Sequence, residues 1–175
     1  ITLDSLRSWF GTNIAIARVM PNQPTLVGQG MSGLCATNNT DTAARAAVNY
    51  LLAATGQTVW FEDESLMDGV TALSGSGPAY FYLLMEIIQD VATELGFDTT
   101  TARLLSTQTA LGAATVAAGT QDELAQLRER VTSPGGTTAA ALESLESAGI
   151  RTIFRSALLA ARHRAIELGK PSGGS

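Results

Sequence analysis

Apolar and polar positions alternate with two different periods along the chain, and the change falls near residue 61. "ITLDSLRSWFG" puts Leu3, Leu6, Trp9 and Phe10 on one face of a helix, with Asp4 and Arg7 elsewhere on it. "NIAIARVM" reads as a strand that "PNQP" breaks, and "GQGMSGLCAT" as a second extended segment. "DTAARAAVNYLLAATG" is a helix with Ala44, Val48, Leu51 and Leu52 turned inward and Gly56 as its stop, and "QTVWF" is a short strand. Residues 1–61 thus alternate helix and strand, an α/β pattern, with too few strands for a complete doubly wound sheet.

From Glu62 onward the pattern predicts helices only. "EDESLMDGVTAL" is a short one, and "GPAYFYLLMEIIQDVATELG" a long one ending at Gly96. "DTTTARLLSTQTALGAATVAAG" follows with Asp98 as N-cap. Thr120 and Glu123 read as a capping box opening "QDELAQLRERV". "TTAAALESLESAG" and "IRTIFRSALLAARHRAIELG" complete the set, and Lys170–Ser175 reads as a polar, flexible tail. From Ala79 to Ile88 the long helix is apolar nearly all the way round. Such a helix is buried on every side, either at the centre of one core or between two subunits. A few short helices in one small chain do not enclose it. Ala110, Gly112, Ala113, Ala114, Ala117 and Ala118 in the next helix permit close helix contacts. Together these features point to an obligate, interwoven dimer.

Composition adds limits. The 175 residues suffice for one domain, or one domain and a fragment; 45% are hydrophobic and 15% charged, a globular balance. Net charge is −5 with scattered Lys and Arg, which argues against a nucleic-acid footprint. The longest apolar run is too short to cross a bilayer, and no secretory signal opens the chain. Cys35, the single cysteine, has small or apolar neighbours and reads as a packed residue. The chain starts without methionine, on a helix that reads as already under way.

The usual catalytic constellations are missing. His163, the single histidine, sits between Arg162 and Arg164 and reads as solvated, which leaves no His-based triad or His-rich metal site. Glu62, Asp63 and Glu64 cluster at a helix start and read as structural. There is no P-loop, and no G-x-G-x-x-G after a strand. What stands out are two uncharged junctions, each expected to open a helix: "LSGSGPAY", residues 73–80, and "TSPGGTT", residues 132–138. No charge occurs between Asp68 and Glu86, or between Arg130 and Glu143. Free N–H groups and the positive end of the dipole at a helix start hold anions without a cationic side chain. Glycines admit a ligand to the backbone, and hydroxyls add donors. On the residues alone, plain caps with close helix packing and a carboxylate site both stand.

"RVMPNQP", "VTALSGSGPAY", "LGFDTTTARLLSTQTALGAA" and "VTSPGGTTAAALESLESAGIR" strongly resemble pyrroline-5-carboxylate reductases, in order, from about Ile1 to Lys170. That family usually carries threonine where Gln23 stands. The resemblance implies a mainly α fold: a helical dimerisation and substrate-binding domain, 62–169, preceded by the last α/β part of a Rossmann-type NADP-binding domain, 1–61, and followed by the tail, 170–175. It implies a fragment that begins after the glycine-rich dinucleotide fingerprint and is inactive by itself. The implied reaction is hydride transfer from NADPH, or NADH, to the C=N carbon of 1-pyrroline-5-carboxylate, giving L-proline, in a cytoplasmic homodimer without nucleic-acid or membrane partners. The implied carboxylate cradle is Ser133, Gly136, Thr137 and Thr138, with Thr138 as the catalytic residue through its hydroxyl. Ser74, Gly75, Ser76, Gly77 and Pro78 are expected to wall the same pocket, and Pro21 and Asn22 to lie near the nicotinamide. Two other readings remain: a related Rossmann-plus-helical dehydrogenase for another small acid, and a helical dimer module without catalysis.

Overall fold

The computed structural model describes residues 1–170; the expected tail beyond Lys170 lies outside the described residues. The described residues form two compact units, one of Ile1–Ala79 with residues 156–170, the other of Tyr80–Arg155.

The first unit is built on a three-stranded sheet in the order β1 (Ala17–Met20), β2 (Gly30–Ala36), β3 (Gly56–Trp60). β1 runs antiparallel to β2, with Met20 opposite Gly33, and β3 runs parallel to β2, with Gly30 opposite Gly56. The central strand is the buried one, and Ser32, Leu34 and Cys35 are sealed from solvent. Cys35 packs with Leu3 and Met67 in a core completed by Leu6, Ile16, Met20, Phe61 and Val70. It is the packed residue its neighbours suggested, and burial pushes its thiol pKa up.

Helix α1 (Leu3–Phe10) is capped by Thr2, whose hydroxyl accepts from the Ser5 N–H. Leu3 and Leu6 meet the core, whereas Trp9 and Phe10 stay 63% and 59% exposed, so the expected four-residue inner face is only half used. In α2 (Thr42–Leu52) Ala44, Val48 and Leu52 are half-buried, but Leu51 is 74% exposed. The helix touches the sheet along a stripe too narrow to include both leucines. The acidic trio does three separate structural jobs. Glu62 holds Arg45 through two hydrogen bonds, with Arg45 lying 4.9 Å over the Trp60 ring. Asp63 accepts from the Ser65 N–H and hydroxyl. Glu64 accepts from Arg18 and from the Leu3 N–H, both at 2.7 Å, and so serves the N-terminus of α1, far away in sequence.

α4 (Gly77–Glu94), in the second unit from Tyr80 on, ends in a reversed turn at Gly96, with the Phe97 N–H on the Ala92 carbonyl. Asp98 caps α5 (Thr99–Ala118) as expected, accepting from the amides of Thr100 and Thr101 and the Thr101 hydroxyl. The Ser106 hydroxyl, fully buried, donates to the Met85 carbonyl at 2.6 Å and locks α5 onto α4. The Thr120–Glu123 capping box does not form. α6 is only Leu124–Arg130; Glu123 stands at its N-cap without a side-chain bond, and Thr120 instead accepts from the Asp122 N–H. Arg130 draws Asp122 into an ion pair at 2.6 Å, which keeps residues 120–123 in a turn ahead of the helix. α7 (Thr137–Ser147) follows, and α8 (Ile150–Gly169) begins in this unit and belongs to the first from Ser156 on, with His163 exposed on it.

The apolar helix is not enclosed by the other described residues of its chain. Phe81 is 62% exposed and Ile87 49%, and Leu83, Ile88 and Val91 on α4 and Leu104, Leu111 and Val116 on α5 are also exposed. Of the two burials the sequence allowed, a core within one chain is therefore not the one adopted.

Candidate functional site

The segment 131–138 is a helix start. The Thr132 hydroxyl turns back to the Arg128 carbonyl at 2.6 Å and closes the end of α6. Pro134 restricts the next turn, and Gly135 takes the left-handed conformation, φ +70°, that side chains disfavour. The Gly136 N–H donates to the Ser133 carbonyl at 3.0 Å. Gly136 itself is the N-cap of α7, in extended conformation. A Cβ at Gly136 would overlap the Ser133 Oγ, so glycine is what lets that hydroxyl lie across the helix entrance. With glycine at the cap, no side chain folds back onto the first turn. The amides of Thr137, Thr138 and Ala139 thus lack intrahelical acceptors, and the Ser133 hydroxyl lies beside the cap residue. Thr138 is half-buried, while Ser133 and Thr137 are exposed. A helix start without a side-chain cap leaves first-turn amides of the kind that hold small anions.

The segment 73–80 differs from the expected opening of a separate helix. Met67 to Glu94 is nearly continuous helix: α3 (Met67–Val70), a π-helical turn over Thr71–Gly75, then α4. The Ser76 N–H reaches back five residues to the Thr71 carbonyl at 2.8 Å, and the Ala79 N–H bonds the Ser76 carbonyl. These amides are already paired, so this junction is not a free helix start. The cause is Pro78, which has no N–H for the carbonyl four residues earlier and whose ring crowds it. π-turns of this kind mark functional places in many helices.

The turn after β1 meets that π-turn. The Asn22 side-chain amide donates to the Ser74 carbonyl at 3.2 Å and the Ser74 hydroxyl at 3.3 Å, while its oxygen accepts from the Met31 N–H at 2.9 Å. The Met20 methyl occupies the notch left at Gly75, where a Cβ would stand 2.5 Å from it. The structure thus brings Asn22 together with Ser74, and Met20 with Gly75, residues read separately in the sequence. The contact joins residues 52 apart, and no local pattern announces it. Pro21 is exposed on the same turn. The spacing Gly28, Gly30, Gly33 matches G-x-G-x-x-G, but it runs from a 3-10 turn into β2 and not into a helix. It therefore presents no helix N-terminus to a pyrophosphate.

A three-stranded mixed sheet joined to helices with uncovered apolar faces defines a mainly helical self-association domain preceded by a short α/β part. The family model for pyrroline-5-carboxylate reductase dimerisation matches residues 64–168. The reductase of Pseudomonas aeruginosa is 46% identical over 169 residues, covering 97% of this chain and 62% of that protein. That of Haemophilus influenzae is 44% identical over 169 residues, with 96% and 62% covered. Among solved structures, a pyrroline-5-carboxylate reductase of Coxiella burnetii superposes with a TM-score of 0.93 at 43% identity, over 97% of this chain and 63% of that one. The Plasmodium falciparum reductase, solved with NADP bound, does so with a TM-score of 0.89 at 31% identity, over 97% and 67%. The chain belongs to the pyrroline-5-carboxylate reductase family. It spans 62% of the length of these bacterial relatives, and its dimerisation region supports self-association.

Proposed function

We propose that this chain is the dimer-forming and substrate-holding part of an enzyme that reduces 1-pyrroline-5-carboxylate to L-proline, as an obligate homodimer in the cytoplasm. The observation that carries the reading is the helix entrance at Gly136. It offers several amide and hydroxyl donors in an uncharged setting, which suits a ligand with one carboxylate and a cationic ring nitrogen. A lysine or arginine there would repel that nitrogen.

In this reading the amides of Thr137 and Thr138 and the Ser133 hydroxyl hold the carboxylate. The Thr138 hydroxyl reaches the carboxylate or the ring nitrogen, which makes it the catalytic residue. Ser74, Gly75, Ser76, Gly77 and Pro78 contribute to substrate binding through the π-turn and the first turn of α4. The protonated imine is already electrophilic, so the protein's task is to hold its carbon in place and keep the ring oriented. A reduced nicotinamide dinucleotide, NADPH or NADH, supplies the hydride when bound, and the C=N bond becomes CH–NH.

The residues present fit only the nicotinamide end of that group. The Asn22 amide is engaged inside the fold, so the turn meets a ligand through its backbone and the Pro21 ring. The Gly28–Gly33 run lacks the helix a pyrophosphate needs. Residues 1–175 alone are therefore expected to bind NADPH weakly and to lack activity. The test is an assay of proline formation from pyrroline-5-carboxylate and NADPH by the complete enzyme, beside calorimetry of NADPH on residues 1–175. An inactive complete enzyme refutes the function, and tight NADPH binding by residues 1–175 refutes the division of labour.

A further inference from the structure

The π-turn and the turn after β1 share one hydrogen-bonding problem and its solution. In an α-helix the Ser74 carbonyl would accept from the N–H of residue 78, but residue 78 is proline. The Ala79 N–H does not replace it, since it bonds Ser76. The half-buried Ser74 carbonyl takes the Asn22 amide as its donor instead, at 3.2 Å. The same side chain accepts from Met31 at the start of β2, so Asn22 is held at both ends. Met20 in the Gly75 notch prevents the two turns from sliding past each other.

We propose that Asn22 is a positioning residue of the reductase, whose side chain stands in for the helical hydrogen bond Pro78 cannot make and so ties the turn after β1 to the entrance of α4. This rests on the function proposed above. Asn22 touches neither ligand through its amide; it fixes Ser74–Pro78, assigned to the substrate, against Pro21, assigned to the nicotinamide. Both of those segments lie in the same compact unit. A displacement of about 1 Å between reacting groups costs on the order of a hundredfold in rate, which sets the scale of the effect.

The experiment uses the complete enzyme. Asn22→Asp keeps the acceptor for Met31 but turns a carboxylate oxygen toward the Ser74 carbonyl; Asn22→Ala removes all three bonds. Each variant is expected to lower kcat by about ten- to a hundredfold, with KM for both substrates within about threefold. Pro78→Ala gives the Ser74 carbonyl an N–H of its own. It should restore part of the urea midpoint lost in Asn22→Ala but not the kcat, so the two substitutions are non-additive in stability. A rise in KM for the dinucleotide at unchanged kcat would overturn the proposal and make Asn22 a direct cofactor ligand. Lowered midpoints with unchanged kcat and KM would reduce Asn22 to a merely structural residue. Additive midpoints for Asn22→Ala and Pro78→Ala would remove the pairing itself. If Asn22→Ala does not fold, the isosteric Asn22→Asp carries the kinetic test. A wild-type enzyme without reductase activity would refute the function instead, and the midpoint cycle would still decide the clamp.

Discussion

Thr138→Ala separates a substrate contact from a helix cap, because the structure assigns the cap to another residue. Gly136 is the N-cap of α7 and Thr138 the second residue inside it. A true cap removed by alanine costs about 1 kcal/mol of stability. Thr138 is not in the cap position, and alanine is the better helix former by at most about 0.7 kcal/mol, so the folded state should lose well under 1 kcal/mol. If the hydroxyl meets the substrate, a hydrogen bond to a charged group disappears. Such bonds contribute about 1.5–3 kcal/mol, or roughly ten- to a hundredfold in kcat/KM. The assay measures kcat/KM for pyrroline-5-carboxylate and the urea midpoint on the same preparation of the complete enzyme, with Ser133→Ala at the other side of the helix entrance as comparison. The expected result is a large kinetic loss with a nearly unchanged midpoint for Thr138→Ala. Normal kinetics with a lowered midpoint would remove this hydroxyl from the site and leave the cradle to backbone amides.

Gly135→Ala places a side chain at φ +70° with open space around it, so it should cost about 1–2 kcal/mol from backbone conformation alone, read from the urea midpoint. Bonds from the Thr101 hydroxyl, and then from the backbone amides, hold the Asp98 carboxyl below its ordinary value of 3.8. A depressed carboxyl contributes stability above its unfolded pKa and loses it as pH falls through the folded one. The midpoint difference between wild type and Asp98→Ala should therefore be full above about pH 4 and shrink on further acidification; a difference that grows below pH 4 would contradict the cap. Phe81→Asp puts a charge on the apolar face of α4 and should convert the dimer to monomer at micromolar concentration in analytical ultracentrifugation. An unchanged sedimentation coefficient would place the interface elsewhere.

Much of the fold follows from short-range physics and is legible in the sequence. Asp98 caps α5 because its carboxylate reaches amides two and three residues on, and Gly96 ends α4 by a conformation other residues avoid. The uncharged "TSPGGTT" run announces a helix start for the same reason: Pro134, Gly135 and Gly136 act on their own backbone. Tertiary contacts decide what periodicity leaves open. Leu51 and Leu52 are equally apolar, and only the narrow contact with the sheet selects Leu52. Thr120 and Glu123 have the spacing of a capping box, but the Arg130–Asp122 pair takes the turn elsewhere. Glu64 reads as an acidic residue at its own helix start, yet it closes the N-terminus of α1 61 residues away. Pro78 reads as part of a helix opening, and its sequence neighbourhood gives no hint that the missing donor comes from Asn22. A hydrogen bond within one turn depends on neighbouring residue types, which the sequence displays. A bond across the fold depends on which surfaces pack together, and that is decided by the whole chain at once.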